Sequence, residues 1–131
     1  MRQRLEGGIV VTAAVAGASA VALGAFGAHA LRDVLDERAL AIWRTAVDYQ
    51  FWHTLAMLAT GLVADGRSPP ALRCAAAAFA LGIVLFSGSL YALALGGPRV
   101  LGVMTPFGGV AFIAGWLALG VHGWRMMDDA P

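Results

Sequence analysis

The chain has no lysine: its nine basic residues are all arginine, set against eight acidic ones for a formal net charge of +1. Without a basic face or stripe there is no electrostatic footprint for nucleic acid, and that class of partner is excluded. Cysteine is nearly absent as well. The lone Cys74 rules out an intrachain disulfide and a paired-cysteine metal site. Its place at the start of an apolar run predicts a packed, inert thiol, with palmitoylation as the lesser reading. Charge of either sign is scarce, at 13% of 131 residues, while 60% are hydrophobic. Such a chain is too apolar for a soluble domain and too long for one membrane anchor. It reads as a small polytopic membrane protein.

The few charges set the segmentation. Uncharged gaps of 25, 16, 25 and 25 residues separate Glu6 from Arg32, Asp48 from Asp65, Arg73 from Arg99, and Arg99 from Arg125. A helix crossing about 30 Å of hydrocarbon needs roughly 20 mostly apolar residues, so three gaps suffice and the second must borrow from the segment before it. The expectation is an all-α integral membrane bundle of four antiparallel transmembrane helices in a single domain, with spans near 8–31, 45–64, 72–95 and 100–124 and both termini on one side. Asp36 is placed to cap the second helix, which begins near Glu37 as a wet amphipathic turn and enters the bilayer around Thr45. Arg44 and Asp48, at i and i+4, are expected to pair at the membrane surface, with a buried functional carboxylate as the alternative. The Asp65 to Pro70 stretch reads as a turn, and Pro106 is either accommodated in the first turn of the fourth helix or marks its start.

The N-terminal apolar run imitates a signal peptide ending at Ala28-His29-Ala30. It continues unbroken from Ile9 through Phe26, longer than a signal peptide's apolar region, and is expected to be a retained span. Five arginines fall on the side of the termini and four opposite, a slight bias that places the termini in the cytoplasm.

Threading four spans up and down brings scattered polar residues to one level. His29, Gln50, His53, Ser87, Ser89, Tyr91 and Thr105 converge on the half of the bundle opposite the termini. At about 1.5 Å of rise per residue they bracket roughly a third to a half of the bilayer. Small residues accompany them: Gly24, Gly27, Gly88, Gly108, Gly109 and Gly115 are expected to let helices approach closely, which in lipid must supply much of the attraction between them.

Four blocks carry a resemblance. Gly24-Ala25-Phe26-Gly27-Ala28-His29, then Trp43 with Tyr49-Gln50 and His53, then Phe86-Ser87-Gly88-Ser89-Leu90-Tyr91, then Thr105-Pro106-Phe107-Gly108-Gly109 with Gly115-Trp116 stand in order over roughly residues 9 to 120. Together they resemble the domain of unknown function 423 family, small bacterial inner-membrane proteins similar to animal transmembrane protein 256. The resemblance implies a four-helix integral membrane protein and no established reaction, substrate or cofactor.

Three readings of the polar layer compete. Its hydroxyls, amide and imidazoles can be interhelical hydrogen bonds, each worth about 0.6 kcal/mol on average. They can line a pocket for a lipid headgroup, a quinone, another small molecule or an ion, because intramembrane ionisable groups mark functional sites. The third is haem or copper held by His29 and His53. A serine nucleophile is disfavoured, since Phe86 stands two residues before Gly88 and no Gly-x-Ser-x-Gly elbow exists. The sequence therefore leads to a protein without enzymatic activity or cofactor. It is expected in the bacterial inner membrane as an accessory or interaction subunit, in contact with lipid and with another membrane protein or a second copy of itself. The alternative is a binding or transport protein that uses the layer.

Overall fold

The computed structural model describes residues 2–64 and 69–128, and within them every regular element is helical. Helix α1 spans Arg2–His29 and α2 spans Glu37–Val63. Helix α3 runs Pro70–Ala94 and contains a π turn at Ile83–Ser87. A 3-10 turn, Arg99–Val103, leads into α4, Met104–Asp128.

Local chemistry accounts for the boundaries. After α1 the chain makes one more turn, with Leu35 N donating to the Leu31 carbonyl at 2.9 Å. Asp36 then caps α2 as expected: the Ala39 amide donates to its carboxylate at 2.7 Å, satisfying one of the orphan donors of a helix start. Most of the expected Asp65 to Pro70 turn lies outside the described residues. Pro70 opens α3 at a position where a missing N–H costs nothing. Gly96, at φ 84°, ends α3 in a conformation that side chains disfavour, and Gly97 N returns to the Ala92 carbonyl at 2.8 Å. Pro106 is the third residue of α4, accommodated in its first turn where no intrahelical N–H is needed.

Three of the four helices, α1, α3 and α4, are long and apolar enough to cross a membrane. The expected second span has the length, but Asp48, Tyr49, Gln50 and His53 lower its hydropathy. Asp48 is exposed near the start of the span, but from Gln50 onward the polarity is directed inward. Gln50, His53, Thr54 and Thr60 are buried, whereas Phe51, Trp52, Leu55 and Leu62 on the same helix are exposed.

Helix α2 is central. Along one flank Gly61, Thr54, Val47 and Trp43 meet Ile9, Gly17, Gly24 and Gly27 of α1. Its other flank packs on α3, and α3 in turn lies along α4, with Phe79 against Gly115, Phe112 against Gly82, and Phe86 against Gly108. One core cluster gathers Met57, Phe79 and Phe112 with small alanines, and a second gathers Leu31, Leu40, Trp43 and Ala94. Outside these clusters the surface is apolar, with Val11, Val15, Val84, Ile113 and Leu117 all exposed. A soluble monomer seldom shows so extensive an apolar surface.

Candidate functional site

Gln50 joins three helices. Its Nε2 donates to the Ala16 carbonyl at 2.9 Å and to Ser19 Oγ at 2.8 Å, both on α1. A carbonyl only accepts, so this fixes which end of the amide is nitrogen and leaves Oε1 facing α3. There the Tyr91 hydroxyl donates to it at 2.8 Å. Ser19 passes its own proton to the Ala16 carbonyl at 2.9 Å. Both amide protons are thus used, on a side chain that is buried.

Trp43 supports this network from one side. Its ring packs on Tyr91 with centroids 4.6 Å apart, and its Nε1 donates to the Leu23 carbonyl at 2.9 Å. An added Cβ at Gly27 would stand 2.5 Å from the indole, so only glycine admits the ring here.

Ser89 and Thr105 form the second polar link, at 2.7 Å between α3 and α4. Because Ser89 spends its proton on the Phe86 carbonyl at 2.9 Å, Thr105 is the donor in that pair. The π turn lies just before Ser89. Its extra residue widens α3 at Phe86, whose backbone rests on Gly108 so closely that a side chain there would collide with it.

His53 belongs to neither link. Its Nδ1 donates to the Tyr49 carbonyl at 2.6 Å and its ring stacks on Phe112, 3.5 Å between centroids and 10° from parallel. Phe79 and Trp116 close the nest at 5.9 and 6.2 Å. This is an aromatic packing position that an imidazole occupies.

Several expectations need correction. His29 is exposed at the end of α1 and takes no part in the layer. Gly27, two residues before it on α1, meets Trp43, which is ten residues or about 15 Å along α2 from His53, so the two imidazoles are not placed to clamp one haem iron or copper. Ser87 is within the layer yet its hydroxyl has no partner, and the same holds for Thr54. Gly88 is exposed and faces open space; Gly24 and Gly109 make ordinary contacts, so only Gly27, Gly108 and Gly115 of the expected set permit a close approach. Arg44 and Asp48 do not pair: both are exposed on the rim of a hollow beside Trp43, while Arg32 lies 3.8 Å from Asp33. Cys74 is exposed rather than packed.

Sequence reasoning missed Ser19, Trp43 as a donor, Thr54, and the π turn. Ser19 had one available signal, since it lies one helical turn from Ala16 on a small-residue face. No comparable signal marks the π turn.

The profile of a family described as "Protein of unknown function (DUF423)" matches residues 23–109. Among curated proteins, the chain is 46% identical to a UPF0382 membrane protein of Staphylococcus epidermidis over 84% of its own length and 89% of the relative's. It is 44% identical to a UPF0382 membrane protein of Haemophilus influenzae over 81% and 85%. With the UPF0382 inner membrane protein YgdD of Escherichia coli it shares 41% over 90% of each. No solved structure matches the chain. The matched region holds the Trp43, Gln50 and Tyr91 cluster and the Ser89 link to Thr105, and the chain belongs to the DUF423 family of membrane proteins.

Proposed function

We propose that the chain is an antiparallel four-helix bundle of the bacterial inner membrane with both termini cytoplasmic. In this reading it serves without enzymatic chemistry or cofactor as an accessory or interaction subunit, beside a larger membrane protein or a second copy of itself. The observation that carries the proposal is the use of Gln50: every proton of its amide, and its oxygen, is committed to α1 and α3. A side chain spent in that way fastens helices and is not free for a ligand.

The order of contacts supports the antiparallel arrangement. Residue numbers rise on α1 as they fall on α2, and the pairs Phe79 with Gly115 and Ser89 with Thr105 run oppositely on α3 and α4. Placing α2 within the bilayer is supported by the inverted character of its second half, polar toward the bundle and apolar outward from Gln50 onward. The inner-membrane assignment draws on the name of the Escherichia coli relative.

The unpartnered hydroxyls of Thr54 and Ser87 favour a second reading, a small-molecule, lipid-headgroup, quinone or ion site within the layer. Native mass spectrometry of the chain extracted from its own membrane in mild detergent separates the two. A discrete mass exceeding one chain, preserved in Ser89→Ala, is the expected result. The proposal fails if the chain is alone and carries a stoichiometric ligand other than phospholipid that Ser87→Ala or His53→Ala removes without unfolding it.

A further inference from the structure

The other end of the molecule holds a feature that the polar layer does not explain. The N-terminal stretches of α1 and α3 are separated by a groove of about 740 Å³, floored by Met57 of α2. Ile9, Ala77 and Ala80 make its walls apolar, and Arg4 and Arg73 stand at one end, one from each helix. From Arg4 to the last α1 wall residue is about 12 Å of helix, and from Arg73 to Ala80 about 10 Å.

We propose that this groove binds an anionic phospholipid of the surrounding bilayer, with the phosphate between Arg4 and Arg73 and one acyl chain along Ile9, Met57, Ala77 and Ala80. The site rests on the membrane reading above and is independent of the accessory role. Its volume falls within the range of small-molecule sites, roughly 300 to 1,000 Å³, and its make-up is theirs: apolar walls and a few polar groups at one place. Neither guanidinium forms an ion pair with another described residue, and the two stand at the mouth of an apolar slot. Planar guanidinium groups match phosphate oxygens in pairs, and basic pockets between membrane helices select anionic headgroups for that reason. A phospholipid supplies the charge and the chain together.

Native mass spectrometry of the full chain tests the proposal, with phosphatidylglycerol and phosphatidylcholine supplied in equal amount. The expected result is one retained lipid per chain and a preference for phosphatidylglycerol on the order of tenfold. R4Q/R73Q reduces that preference to near parity, and A77F, which fills the groove from an exposed position, removes retention of both lipids. Equal retention of the two lipids by the unaltered chain overturns the proposal. So does a preference that survives R4Q/R73Q, or a dimer that A77F dissociates while the lipids have no effect. Both variants alter exposed side chains, and an unchanged melting temperature verifies that the fold is kept.

Discussion

The Tyr91 hydroxyl reaches across from α3 to Gln50 Oε1 at 2.8 Å, and the same amide holds α1 through Ala16 and Ser19. One side chain thereby sets the spacing of three helices. Gln50→Leu keeps the volume and removes all three bonds, leaving the Tyr91 hydroxyl without its acceptor while Ser19 keeps its bond to the Ala16 carbonyl. At about 0.6 kcal/mol per interhelical bond in membrane proteins, the expected loss is roughly 2 kcal/mol, read from thermal or denaturant unfolding in detergent. Ser19→Ala, which removes one of the three, costs about a third of that.

Two glycines of the expected close-packing set behave oppositely. Gly108→Ala drives a methyl into the Phe86 backbone, which cannot rotate away, and is expected to cost on the order of 1 to 3 kcal/mol. Gly88→Ala meets nothing and is neutral or stabilising by up to about 1 kcal/mol, since alanine is the better helix former. Parallel melting curves of the two variants check the contrast.

His53 offers a test of packing against chemistry. His53→Phe preserves a flat ring against Phe112 and is expected to retain stability and association, while His53→Ala opens a cavity and loses on the order of 3 kcal/mol. A His53→Phe variant that folds and associates normally but loses a bound small molecule would show that the imidazole acts as a ligand.

Topology is checked with reporters. Alkaline phosphatase fused after the C-terminus is expected to be inactive, and active when placed in the Gly96-Gly97-Pro98 connection. The reverse pattern inverts the proposed orientation.

The helices were legible because charge is so rare that each apolar run stands out, and the start of α2 was legible because Asp36 is a capping residue at the right distance from Ala39. Gln50, Tyr91, Ser89 and Thr105 were legible as polar groups at a common depth, for depth follows from counting residues. Direction around the helix axis does not follow from counting. His29 has a suitable depth and points outward; Ser19 looked like one more small residue and proved to face Gln50. The π turn was invisible because it arises from how α3 meets Gly108, and no local propensity encodes it. Arg44 and Asp48 had the right spacing for a pair, yet an exposed pair gains too little to hold two mobile side chains together.

The central claim is that the polar layer fastens helices, and a double-mutant cycle between Gln50 and Tyr91 measures it most directly. Unfolding free energies of Gln50→Leu, Tyr91→Phe and the double variant should give a coupling of about 0.6 to 1.7 kcal/mol, with the mass of the native complex unchanged. A coupling near zero, accompanied by loss of a bound small molecule in either single variant, would contradict the account.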